Sequence, residues 1–85
     1  MKAIQISRLD NVAVALHPIK KGEKVTAGGI TVTALEDIPQ GHKIALKAIK
    51  NGENIIKYGF PIGHATADAE PGAWMHTHNV KTNLE

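Results

Sequence analysis

The chain of 85 residues has no cysteine, and its aromatic side chains are limited to Tyr58, Phe60 and Trp74. Without thiols there can be no disulfide staple, thiolate nucleophile or zinc–thiolate site, in keeping with a cytoplasmic protein. The three aromatics do not interleave with basic residues as a base-stacking surface requires. Ten Lys+Arg against eight Asp+Glu leave a net charge of only +2, with no basic stripe to follow a phosphate backbone, so no nucleic-acid partner is expected. Long apolar runs are missing as well. In "MKAIQISRLDNVAVAL" the polar residues Gln5, Ser7, Arg8, Asp10 and Asn11 break every such run, so neither a signal peptide nor a membrane span is expected. The single serine, Ser7, falls in an expected edge strand and offers no nucleophile system, and no phosphate-cradling glycine loop is present.

Length adds its own limit. Residues 1–85 make one domain, and a chain of this size buries only about 60% of its unfolded surface, enough for one modest core. A substrate enclosed on several sides needs more walls than that, so a second polypeptide or a second copy of the chain is expected to complete any active site.

What the sequence does contain is a series of short alternating runs: "AIQIS", "VAVAL", "ITVTAL", "KIALKAI" and "NIIKY". Alternation with period two marks strands, and no helical periodicity is sustained, so the fold class is all-β with short strands and many turns. Between the runs a device recurs, an apolar residue, a glycine three positions on, and a second apolar residue three beyond that. It appears as Ile19-Gly22-Val25, Ile38-Gly41-Ile44, Ile49-Gly52-Ile55 and Ala69-Gly72-Met75. Glycine supplies a turn with positive φ while its apolar flanks dip into the core. The interval from Gly22 to Gly41 nearly equals that from Gly52 to Gly72, which points to two similar halves meeting at the centre of the chain. The expected core includes Val12, Val14, Ile44, Leu46, Ile55 and Ile62. "TAGGI" is expected to be a surface excursion and "YGFPIG" a compact turn around Pro61.

Three segments combine glycine or chain-end position with ionisable groups. "QGHK" presents His42 and Lys43 at the exit of a turn, where cations can meet a carboxylate. "KYGFPIGH" reads by itself as architecture. "HTHNVKTN" places His76 and His78 two apart. If the segment is extended, both rings project to one side and Asn79 to the other. Three readings of the pair are open: a polar tail that holds a loop, two ligands of a metal ion lacking a nearby carboxylate, or an acid/base pair titrating near working pH. Val80 and Leu84 are the expected anchors of this tail, and His17, before Pro18, is expected to have only a surface role.

Taken together and in order, "DNVAVAL", "IPQGHKIAL", "NIIKYGFPIGHA" and "HTHNVKTNL" resemble the N-terminal part of the altronate dehydratase family, nearly end to end. The resemblance implies a SAF-type domain with a β-clip fold, related to the antifreeze-like domain of sialic acid synthases. The same region also occurs as a separate small subunit, as in sulfolactate sulfo-lyase. By resemblance the chemistry is that of a hydro-lyase: β-elimination of water from a sugar acid, altronate giving 2-dehydro-3-deoxygluconate, with a divalent metal such as iron in the complete enzyme. His76 and His78 are then the expected catalytic residues, and His42, Lys43 and Asn79 the substrate-binding ones. The implied partner is a larger dehydratase catalytic region, fused or separate, and the isolated chain is expected to be inactive. A homo-oligomer, if one forms, is expected to use the surface meant for that partner. The competing expectation is a non-catalytic module that binds a carbohydrate acid or assembles subunits.

Overall fold

The computed structural model describes residues 1–83, and none of them is helical. The strands are β1 (Ala3–Ile4), β2 (Val12–Ala15), β3 (Lys24–Ala27), β4 (Ile30–Thr33), β5 (Lys43–Ala45), β6 (Asn54–Lys57), β7 (Phe60–Ala65), β8 (Trp74–Met75) and β9 (Val80–Thr82). They form three antiparallel sheets in the orders β1-β2-β5-β8, β3-β4 and β6-β7-β9, so the all-β expectation holds. Leu84, the second expected tail anchor, lies outside the described residues.

The glycine units explain the architecture. All four glycines take positive φ, between 84° and 91°, a region that Cβ-bearing residues disfavour. Each glycine N–H donates to an alanine carbonyl at 2.8 Å: Gly22 to Ala34, Gly41 to Ala15, Gly52 to Ala65 and Gly72 to Ala45. The leading apolar residues pair with one another, Ile19 with Ile38 and Ile49 with Ala69, as isolated antiparallel bridges. The trailing ones, Val25, Ile44, Ile55 and Met75, are all fully buried. Side chains repeat the pattern. The Glu23 carboxylate accepts from the Lys20 N–H and that of Glu53 from the Lys50 N–H, while Asp37 and Asp68 accept from Lys21 and Asn51 across the paired turns.

The expected two halves are therefore present in three dimensions. In the first, the β3–β4 hairpin turns through Gly28 and Gly29 with φ of 57° and 79°; in the second, the β6–β7 hairpin turns through Tyr58 and Gly59 with φ of 59° and 75°. Two consecutive positive φ values define the hairpin turn whose twist matches the strands it joins. "TAGGI" is thus a hairpin tip rather than a free excursion. In "YGFPIG" the turn stops at Gly59, and Pro61 sits within β7 opposite Ile56, next to a bulge at Ile55/Ile56. A proline is tolerated there because the bulge interrupts the ladder.

Two apolar clusters flank the central sheet. Ala13, Ala15 and Ile44 face one, and Val12 and Ala45 face the other, so β2 and β5 are covered on both sides. Double cover accounts for a run such as "VAVA", apolar at every position. Val12, Ile44, Leu46 and Ile55 are buried as expected. Val14 and Ile62 are only half-buried, and Ile62 packs at the margin of the second cluster. All five expected strands are shorter than their runs, two of them by three residues or more. "AIQIS" pairs only at Ala3–Ile4, which leaves Ser7 in a bend, and "KIALKAI" leaves the sheet after Ala45, with Ile49 paired only in its isolated bridge to Ala69.

The polar pair Asp10 and Asn11 is buried, and it ties the N-terminal segment to the second hairpin. The Asp10 carboxylate accepts from the backbone N–H groups of Ser7 (3.0 Å), Tyr58 (3.2 Å) and Gly59 (2.8 Å). The Asn11 carboxamide bridges β6, donating to the Asn54 carbonyl and accepting from the Ile56 N–H. Buried polar groups are tolerated when satisfied in this way.

Candidate active site

Strand register brings the distant polar segments together. β5 and β8 pair antiparallel with Lys43 opposite Met75 and Ile44 opposite Trp74. One step further along that register sets His42 beside His76, and the two rings stack with centroids 3.8 Å apart and planes 21° apart. Trp74, diagonal to His42 on the same face, donates its indole Nε1–H to His42 Nδ1 at 3.0 Å. His78 lies over the indole at 4.5 Å with its plane tilted by 44°. Three of the five expected site residues thus join one imidazole–indole array. Trp74, to which no site role was assigned from sequence, lies at its centre. The available signal was its spacing: residues 74 and 76 share a strand face, two and four positions after Gly72.

Lys43 points the other way along β5, as alternation requires. It meets His76 at a cavity of about 140 Å³ that is also lined by Ile62, Thr77, Val80 and Thr82. The condition that "HTHN" runs extended is not met. Residues 76–79 form a turn in which the Asn79 N–H donates to the His76 carbonyl at 3.0 Å. The Asn79 carboxamide closes the turn, its Oδ1 accepting from the His76 N–H at 2.9 Å and its Nδ2 donating to the Trp74 carbonyl at 3.0 Å. An asparagine side chain satisfies its own local backbone readily, and here that preference outweighs strand continuation. His78 therefore reaches the indole through a turn and not through alternation. Val80, the first expected tail anchor, begins β9 and packs half-buried on the second cluster. His17 is exposed, as expected.

Electrostatics favour uncharged or easily discharged groups at this edge. His76 is held below the ordinary imidazole pKa, first by partial removal from water and then by His42, Lys43 and His78 around it. Lys43 is lowered from the ordinary ammonium value, first by burial and then by Lys57. An anion bound between these groups would relieve both penalties at once. No group of three His, Asp or Glu residues that could hold a metal ion occurs among the described residues. His42, His76 and His78 are organised by stacking around an indole, and this donor set does not fit a resident ion. No helix of the described residues is long and apolar enough to cross a membrane.

Paired glycine-turn units, short antiparallel strands and an edge rich in imidazole define a SAF-type β-domain. Residues 1–83 match the altronate/galactarate dehydratase SAF domain family, and the chain belongs to that family. It is 52% identical over 81 residues to altronate dehydratase of Bacillus subtilis (strain 168), covering 95% of this chain and 16% of that protein. To altronate dehydratase of Escherichia coli (strain K12) it is 50% identical over 84 residues, covering 99% of this chain and 17% of that protein. The (2R)-sulfolactate sulfo-lyase subunit alpha of Paracoccus pantotrophus is 57% identical over 51 residues, which is 60% of this chain and 76% of that subunit. The chain thus spans about one-sixth of the dehydratases it matches and most of the small lyase subunit.

Proposed function

We propose that this domain supplies one wall of a hydroxy-acid dehydratase active site, with the remaining walls provided by a larger catalytic region in the same chain or on another subunit. One observation carries the reading: the His42–His76 stack, 3.8 Å between ring centroids, adjoins the Lys43 cavity. That cavity, about 140 Å³, falls well short of the ~300–1,000 Å³ of sites that enclose a small molecule. It has room for one end of a sugar acid and needs another surface to close over the rest.

In this reading the substrate is a sugar acid of the altronate or galactarate kind. The base takes the proton from the carbon next to the carboxylate, the hydroxyl on the following carbon leaves as water, and the resulting enol becomes the 2-keto acid. Charge builds on the carboxylate as the proton departs, so a cation and hydrogen-bond donors fixed beside it lower the barrier. Lys43 is the cation in reach of the carboxylate. His76, already biased toward its neutral form, suits proton exchange, and His78 and His42 complete the donor edge. Asn79 acts on this edge through the turn it closes. Any divalent metal used by the complete enzyme would polarise the carboxylate or the leaving hydroxyl, and its ligands are assigned to the larger region.

The test is reconstitution with that region, followed by a dehydration assay on altronate. His76→Ala is expected to lower kcat/KM roughly ten- to a thousandfold, the range for a lost acid, base or charge-stabilising donor. His17→Ala should match the parent. Equal turnover in both variants would remove His76 from the chemistry, and dehydration by the isolated domain at a comparable rate would refute the shared site.

A further inference from the structure

We propose that Trp74 is the positioning residue of this edge: its indole N–H fixes His42 as the Nε2–H tautomer and so leaves His42 a permanent donor beside its stacked neighbour His76. The bond between Trp74 Nε1 and His42 Nδ1 is 3.0 Å long. Its two rings are inclined by 27° with centroids 5.9 Å apart, so the indole N–H reaches Nδ1 without a steep angle between the ring planes. Direction follows from chemistry alone. An indole nitrogen can only donate, so Nδ1 must accept, and the one proton of the neutral ring is confined to Nε2.

The surroundings reinforce the constraint. The Trp74 ring plane lies within 8° of that of His76, and His78 covers the indole at 4.5 Å, so the indole is held against both imidazoles of the terminal turn. The Asn79 carboxamide grips the Trp74 carbonyl, and the Trp74 ring packs against the first apolar cluster. Three imidazoles would otherwise exchange tautomers independently. With His42 fixed, one ring of the stacked pair always offers a donor, while His76 remains free to accept or give up a proton. Side-chain donors that must find their orientation during a reaction forfeit part of their benefit, and a fixed one does not.

Nuclear magnetic resonance on this chain tests the assignment without any activity. Above about pH 8 ordinary imidazoles are neutral, and long-range proton–nitrogen spectra distinguish the bare ring nitrogen from the protonated one. In the parent, His42 is expected to show a bare Nδ1 and a protonated Nε2, and in Trp74→Phe, which keeps a ring for stacking, both nitrogens should move toward the tautomer average. A protonated Nδ1 in the parent, or identical His42 nitrogen shifts in the two proteins, would overturn the proposal. An independent arm uses the single tryptophan, whose indole proton gives one unambiguous signal. His42→Phe should speed exchange of that proton roughly five- to tenfold, as expected for loss of one hydrogen bond, and unchanged exchange would also overturn the proposal.

The consequence for turnover rests on the function proposed above. In the reconstituted enzyme Trp74→Phe should lower kcat about tenfold with KM nearly constant, since the group is positioned and not removed. A parental kcat would overturn the positioning role. A parent enzyme that fails to dehydrate any sugar acid while the resonance signatures hold would instead refute the functional reading.

Discussion

The two halves of this domain share their turns and differ at their edges. Ile19 to Ile44 and Ile49 to Met75 build the same object, with glycines in the same conformation and the same bridges and hairpin turns. In the first half the hairpin tip is small, and the side chain of Gln5 lies where a Cβ on Gly28 would be. In the second half the tip carries the exposed rings of Tyr58 and Phe60, it is held from beneath by Asp10, and its strand β7 gains a second partner in β9. His42 and Ala73 follow equivalent glycines, as do Lys43 and Trp74 one position later. Repeated elements secure the fold, and departures from the repeat create the candidate site.

The sharpest way to break the equivalence is at the glycines. Gly41 and Gly72 occupy matched turns with φ of 84° and 91°, but an added Cβ at Gly41 meets nothing within 4 Å, whereas at Gly72 it runs into the Thr33 carbonyl. Gly72→Ala is therefore expected to cost roughly 3–5 kcal/mol, and Gly41→Ala, with conformational strain alone, about 1–2 kcal/mol. Urea denaturation midpoints of the two variants would show the gap, and equal midpoints would contradict the asymmetry.

Next in size is the support of the second hairpin. Asp10→Ala leaves three backbone N–H groups without their acceptor, a loss of roughly 2–4 kcal/mol, while Gln5→Ala at the first hairpin should cost less than about 1 kcal/mol. Thermal melts would rank them, and a Gln5 effect as large as that of Asp10 would show that the first tip is held as firmly as the second.

A smaller effect of opposite sign is expected at Tyr58, the one non-glycine residue with positive φ among those described. Its counterpart is Gly28, and Tyr58→Gly should stabilise the chain by up to about 1 kcal/mol by relieving left-handed strain. Destabilisation would mean that the exposed ring contributes more than its contact with the Lys57 ammonium, 4.9 Å from the ring centroid, suggests.

The smallest expected effect is a pH slope confined to the site edge. His76 is lowered from its ordinary value near 6.5, so between that value and its folded one the unfolded chain binds more protons. Stability contributed by the neutral ring is present above pH 6.5 and is lost as pH falls through the folded value. His76→Gln should flatten that part of the stability profile, and an unchanged slope would place the acid-sensitive group elsewhere. Lys43, also lowered, acts with the same sign at the alkaline end, where stability rises as pH approaches its ordinary value of 10.5.

Much of the architecture is legible in the sequence alone. Short alternating runs, four glycine units and their near-equal intervals were enough for an all-β chain with two similar halves, and for the burial of Val12, Ile44, Leu46 and Ile55. These features depend on neighbours a few residues away, where alternation and turn chemistry act directly. The candidate site was legible only as residue types. "QGHK" and "HTHN" marked themselves by composition, but neither states which residues meet.

That was decided by tertiary structure. The β5–β8 register, set by closure of segments far apart in sequence, places His42 against His76 and turns Lys43 to the opposite face. The Asn79 carboxamide bends residues 76–79 where alternation alone implied a strand, because bonding its own turn satisfies backbone groups that no partner strand reaches. Trp74 and Asp10 drew no attention as single letters, since their roles lie in bonds to residues 32 and 48–49 positions away. Local sequence therefore determined what the strands and turns are, and long-range pairing determined which side chains could act together.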